Sequence, residues 1–166
     1  IMLRSAISWG YWPVTGLIAT PEMAEKQITT AKQLGLNMLN FHRNIGTPVV
    51  LDKADEMGLL YYEEPGSFHS GTHDPFIRTI LREKVFRMIK RDRSHPSLII
   101  YNMINEFGGR LSKDKELVAK RFEDMRDAHA IDPSRTITFT SGWANKKDAL
   151  EDSKAHFRPF DTKLYM

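Results

Sequence analysis

Three times in the first half of the chain a short polar residue stands directly before a proline: Thr20-Pro21, Thr47-Pro48 and Asp74-Pro75. Such pairs open helices, because the polar side chain caps a free N–H and proline fits the first helical position. Short apolar runs alternate with these starts. Ser5–Trp9, Leu36–His42 and Leu59–Glu64 read as strands, separated by helices that Gly35 and Gly58 stop. The third helix runs from Asp74-Pro75 to about Arg93 and delivers a fourth strand, Leu98–Ile104. Ser112 is expected to open a fourth helix with Val118, Phe122, Met125 and His129 on its apolar face. Asp132-Pro133 breaks that helix, and Thr136–Thr140 forms a fifth strand.

Strict strand–helix alternation requires a parallel sheet with right-handed crossovers. Two architectures of this α/β class fit. One is a doubly wound five-stranded sheet; the other is part of a (β/α)8 barrel, which usually takes about 250 residues. A doubly wound nucleotide binder usually carries a glycine-rich phosphate turn after its first strand. The first loop here reads Trp9-Gly10-Tyr11-Trp12-Pro13 instead.

Charge argues against nucleic acid as a partner. There are 24 basic and 21 acidic residues, and the densest basic run, Arg82–Arg93, is interleaved with Val85, Phe86, Met88 and Ile89. That is an amphipathic helix with a solvated face. No apolar run is long enough to span a membrane. The absence of cysteine excludes disulfides and thiolate metal sites. His69 and His73 are four apart with Asp74 beside them, but Gly71 between them makes a helical pair of ligands unfavourable. No metal and no cofactor are expected.

The most informative stretch is Arg91-Asp92-Arg93-Ser94-His95-Pro96-Ser97, the apolar strand, and then Asn105-Glu106. Sixteen residues long, it resembles the segment before the catalytic acid/base in glycoside hydrolase family two, the β-galactosidases, β-glucuronidases and β-mannosidases. Ser94 replaces that family's usual Asn, and Tyr101 stands where Trp is frequent. The resemblance extends to Ala31–Glu64 and to Asp132–Thr136. It implies a TIM barrel of which residues 1–166 hold the first five to six units, with Phe160–Met166 beginning the sixth. It also implies a chain cut at both ends, with the remaining strands and accessory β-domains supplied by a longer parent protein.

The resemblance further implies a retaining hydrolysis of β-glycosides, with carbohydrate as the substrate. Retaining enzymes need two carboxyl groups about 5–5.5 Å apart. Glu106 would be the acid/base, and the nucleophile would lie at the seventh strand, outside this chain. Asn105 looks like the amide that binds the sugar 2-hydroxyl, and Glu64 like an acid lining the sugar pocket. Glu63 should point the other way by strand alternation. His69 falls near a substrate-contacting histidine, His42 is a candidate contact or a buried hydrogen-bonded residue, and Trp143 is a candidate stacking platform. The second strand departs from the family pattern, because Arg43 occupies the usual histidine position and Asn40 replaces an arginine. The rival readings are a carbohydrate-binding or degenerate barrel without catalysis, and a doubly wound small-ligand domain.

Overall fold

A computed structural model describes residues 2–67, 74–107 and 114–141. They form strands β1 (Ser5–Ile7), β2 (Met38–Phe41), β3 (Leu60–Glu63), β4 (Leu98–Asn102) and β5 (Thr136–Thr138). Helices α1 (Pro21–Gln33), α2 (Pro48–Met57), α3 (Pro75–Asp92) and α4 (Lys115–Ile131) lie between them. All four strand pairings are parallel, and the spatial order is β1-β2-β3-β4-β5. A doubly wound sheet reverses direction at a switch point. This sheet never does, so that rival is excluded, and every right-handed crossover places its helix on the same face.

Helix starts follow the capping chemistry. Thr20 Oγ1 accepts from the Met23 N–H at 3.3 Å, and Asp74 Oδ1 accepts from Phe76 N–H at 2.8 Å. Thr47 caps α2 by backbone position alone, with no side-chain bond. The start of α4 differs from the expected Ser112, which lies outside the described residues. Asp114 is the cap, its carboxylate accepting from Leu117 N–H at 2.9 Å. The carboxylate also favours the positive end of the helix dipole. Each strand ends earlier than its run, and β2 and β3 also start later, because ladder pairing covers only part of each run.

The core lies between the sheet and the helices. Ala24, Ile28 and Ala31 of α1 form one stripe; Val50, Leu51 and Ala54 do the same on α2; Val85, Met88 and Ile89 on α3. They meet Leu39, Phe41, Tyr61, Leu98 and Tyr101 from the strands. Phe41 and Tyr61 stack with centroids 4.5 Å apart. Burying one Ile28-sized side chain contributes about 2 kcal/mol. At the α3–α4 contact, buried Asp124 accepts from Arg78 and Arg82 at 2.9 and 2.7 Å. A buried ion pair of this kind fixes registration more than it adds stability.

The opposite sheet face is less covered. A continuous apolar run such as Leu98–Ile104 is expected to be a strand buried on both faces, but Ile99 and Ile100 of β4 are only half-buried. β1 is exposed at all three residues. Between β3 and β4 the register slips: Tyr61 pairs with Leu98 but Tyr62 pairs with Ile100, leaving Ile99 as the extra residue. This bulge lets Leu98 and Tyr101, three apart, both enter the helix-side core. Asn102 then faces the inner side beside its register partner Thr138, whose Oγ1 donates to Asn102 Oδ1 at 3.0 Å. Among the described residues, no helix is long and apolar enough to cross a membrane.

The first half of the sixteen-residue motif is scaffold. Arg91 grips Asp92 through Nε and Nη2, both at 2.7 Å, and reaches the Gly46 carbonyl. His95 Nδ1 lies 2.7 Å from Asp55 of α2, whose other oxygen accepts from Ser97 N–H at 2.8 Å. The turn before β4 is therefore tied to α2.

Candidate active site

The carboxyl ends of the parallel strands gather the candidate residues. Residue 64 follows β3 directly, while residues 105 and 106 follow β4 after a two-residue extension. Strand alternation separates the two adjacent glutamates, as expected. Glu63 accepts from Gly46 N–H at 2.7 Å and lies 3.7 Å from Arg91. Glu64 turns instead toward His42, Arg43 and Ser141. Both are fully buried. Burial, and next the neighbouring Asp92, push the Glu63 carboxyl well above the usual carboxylate range, against the pull of the Gly46 N–H and Arg91.

Four residues from four strand ends close a hydrogen-bonded ring. Arg43 Nε donates to Asn105 Oδ1 at 2.7 Å, and Asn105 Nδ2 donates to Ser141 Oγ at 2.9 Å. Ser141 Oγ donates to Glu64 Oε1 at 2.8 Å, and Glu64 Oε2 accepts from the Arg43 N–H at 2.8 Å. Arg43 Nη2 also lies 3.3 Å from Glu106 Oε1, with each side chain about three-tenths exposed. The Arg43 guanidinium stands 5.5 Å over the Trp9 ring, and Trp9 meets His42 edge-on at 4.5 Å. His42 Nδ1 lies 3.6 Å from Glu64.

Backbone strain concentrates here. Trp9, Arg43 and Glu106 have φ of 56°, 56° and 53°, three of the four non-glycine residues with positive φ among those described. Each costs about 1–3 kcal/mol, held only where surrounding bonds over-determine the conformation. Glu64 supplies such a bond at Arg43. At Glu106 it is the N–H donating to Ser141 O at 2.7 Å. Gly46 anchors the β2–α2 loop below Arg43, packed so closely that an added Cβ would collide with the Phe41 ring.

The structure thus brings Glu64, His42, Arg43, Asn105 and Glu106 together, while His69 and Trp143 lie outside the described residues. Asn105 is buried, 1% exposed, with Arg43 and Ser141 at the two ends of its amide. Two participants were not singled out from sequence. Trp9 was noticed only as part of an aromatic loop, and Ser141 carries no local signal at all.

Comparison with known proteins places the chain. Residues 24–160 match the profile described as glycosyl hydrolases family 2, TIM barrel domain. A β-galactosidase of Lactococcus lactis subsp. lactis (strain IL1403) is 27% identical over 178 residues, covering 100% of this chain and 18% of that protein. Among solved structures, the β-glucuronidase of Parabacteroides merdae superposes with a TM-score of 0.72 at 23% identity, over 82% of this chain and 18% of that one. A glycosyl hydrolase family 2 member from Bacteroides cellulosilyticus gives a TM-score of 0.76 at 21% identity, over 93% of this chain and 23% of that one. The chain spans about a fifth of the length of these relatives. The five parallel strands and four helices are part of a (β/α)8 barrel, and the chain belongs to glycosyl hydrolase family 2.

Proposed function

We propose that this chain supplies the acid/base half of a retaining β-glycosidase site, with Glu106 as the general acid and then the general base. The observation that carries the reading is the placement of Glu106. Its carboxylate stands at the carboxyl end of β4, part-exposed, beside buried Asn105 and within 3.3 Å of Arg43. In this barrel type that face is where catalytic groups sit. Glu106 gives its proton to the leaving oxygen as the glycosidic bond breaks, and a second carboxylate attacks the anomeric carbon. Glu106 then takes a proton from the water that releases the sugar. The nucleophile is supplied by the rest of the barrel, beyond these residues.

Asn105 holds the sugar 2-hydroxyl in this reading. Because Arg43 covers one end of the amide, a sugar that reaches Asn105 displaces the guanidinium or shares Oδ1 with it. Glu64 and His42 line the pocket, and the family pattern adds His69 as a sugar contact, with Trp143 as a stacking platform, both outside the described residues. Arg43 in the usual histidine position separates this pocket from the galactoside and glucuronide pattern, so the sugar need not match that of either relative.

The test uses the full-length protein that contains this chain. Glu106→Ala should depress turnover of glycosides with poor leaving groups by at least about a hundredfold, within the range of general acid catalysis. Activated aryl glycosides, which need little protonation, should lose far less. Azide should restore turnover and give a glycosyl azide of retained configuration. Equal losses on both substrate types, without azide rescue, would remove Glu106 from the role.

A further inference from the structure

We infer that Ser141, at the end of β5, is the positioning residue that aims the Asn105 amide at the sugar; this rests on the reading of Asn105 given above. The argument is one of hydrogen-bond satisfiability. A hydroxyl has one proton to give and two lone pairs to fill. Among the described residues Ser141 Oγ has three close partners, Asn105 Nδ2 at 2.9 Å, Asn102 Nδ2 at 3.0 Å and Glu64 Oε1 at 2.8 Å, with the Tyr62 hydroxyl also nearby. Amide nitrogens only donate, so both lone pairs are taken and the proton goes to Glu64. No alternative arrangement satisfies all three.

The same logic fixes the amide. Arg43 Nε can only donate, so the Asn105 atom 2.7 Å away is the oxygen, and the nitrogen faces Ser141. Inside a buried cluster a flipped amide would set N–H against N–H at the Arg43 end, and at the other end its carbonyl could accept the Ser141 proton only by taking it from Glu64. Flipping therefore costs two bonds at once. Ser141 also fixes the backbone on either side of Asn105. Its N–H donates to Ile104 O at 3.2 Å and its carbonyl accepts from Glu106 N–H at 2.7 Å, which continues the β4–β5 pairing past both strands. One serine thus sets the amide, the backbone of the acid/base and one oxygen of Glu64.

Removing the hydroxyl leaves Glu64 Oε1 without its donor, and leaves the Asn105 nitrogen held only by a long 3.4 Å bond to the Ser141 carbonyl, so the amide is positioned from the Arg43 end alone. Backbone bonds of Ser141 survive the change. The loss should therefore appear where Asn105 acts, at the sugar 2-hydroxyl, more than in folding or in leaving-group chemistry.

The experiment compares Ser141→Ala, Ser141→Cys and Asn105→Ala in the full-length protein, on an aryl β-glycoside and its 2-deoxy counterpart. The alanine variant should lose about 10- to 100-fold in kcat/KM on the 2-hydroxy substrate, the scale for a misplaced catalytic contact. On the 2-deoxy substrate the loss should stay below about threefold, because the contact is absent. The cysteine variant fills the same space with a weaker donor and acceptor. It should show the same selectivity, and it serves if the alanine variant does not fold. The losses of Ser141→Ala and Asn105→Ala should combine to much less than their product. Selective loss in Asn105→Ala with equal losses on both substrates in the Ser141 variants would overturn the inference alone. An Asn105→Ala variant that loses both substrates equally would remove the reading of Asn105, and the inference with it.

Discussion

The guanidinium of Arg43 lies 3.3 Å from the carboxylate of Glu106, and both residues hold left-handed backbone conformations, φ 56° and 53°. The contact joins the end of β2 to the end of β4 across the sheet. Strain on both sides of one ion pair means that the pair is bought with backbone energy rather than formed because it is stable.

Arg43→Gly follows from that. Glycine relieves about 1–2 kcal/mol of left-handed backbone cost, while a part-exposed ion pair is worth about 0.2–1 kcal/mol. The bond to buried Asn105 is lost as well, at about 1.5–3 kcal/mol for one with a charged donor, so thermal stability should stay level or fall modestly. Activity of the full-length protein should fall at least about tenfold in kcat/KM, the scale for a lost positioning contact. A variant that melts well below the wild type would show that the strain estimate is misplaced.

Gly46→Ala tests the anchor beneath Arg43. The added methyl meets the buried Phe41 ring, which stacks on Tyr61 and cannot retreat. Overpacking of this kind costs about 1–3 kcal/mol. Urea midpoints should move down accordingly; an unchanged midpoint would mean that the loop gives way.

Two carboxyls give opposite pH dependences. Glu63 has its folded-state value raised by burial and by Asp92, so the folded chain keeps a proton the unfolded chain has released. Stability from this group is complete at acid pH and falls as pH rises above the ordinary glutamate range. Asp132 runs the other way. Burial pushes its carboxyl up, but hydrogen bonds from Ser134 and Arg135 outweigh it and hold it at about 2. Its contribution, about 2 kcal/mol, is present above the ordinary aspartate range and is lost as pH falls. Glu63→Gln should therefore gain on the wild type as pH rises from about 5 to about 8 in urea melts, while Asp132→Asn should flatten the acid limb. A Glu63→Gln difference that does not grow with pH would contradict the first half.

A polypeptide of residues 1–166 alone should hydrolyse no aryl β-glycoside and should self-associate. Among the described residues β1 pairs on one side only, with β2, and Ile7, Tyr11, Leu17 and Ile18 are 54, 59, 52 and 70% exposed. An unpaired parallel edge with apolar neighbours is a template for association. Light scattering beside an assay with galactoside, glucuronide, mannoside and glucoside checks it. A soluble monomer with activity lost in Glu106→Gln would overturn the expectation.

The alternating architecture was legible because its signals are local. Thr20 and Asp74 cap their helices from within three residues, and the apolar stripe of α1 repeats at i, i+4 and i+7. The cap of α4 was misplaced because Ser112 and Asp114 both suit the role, and no local pattern separates two caps two residues apart. The sixteen-residue motif was legible as a marker of the site, but its chemistry was not evenly spread. His95 and Arg91 hold helices and loops, while Asn105 and Glu106 face the ring. Ser141 was invisible for a plainer reason. Its partners lie 36, 39 and 77 residues away, and only the pairing of β4 with β5 brings them within reach.

The extra residue Ile99 has consequences seven positions downstream. Counting along β4 from Leu98, the bulge adds one step before Asn102 and Asn105, so the parity of the strand's far end is set near its beginning. A deletion at Ile99 would leave each residue's identity intact and still turn the wrong members of the series toward Arg43 and Ser141. Point substitutions in β4 are thus a matter of chemistry, whereas a single-residue insertion or deletion there is a matter of phase. The lower part of the strand can exchange Ile for Val freely, but it cannot change its count.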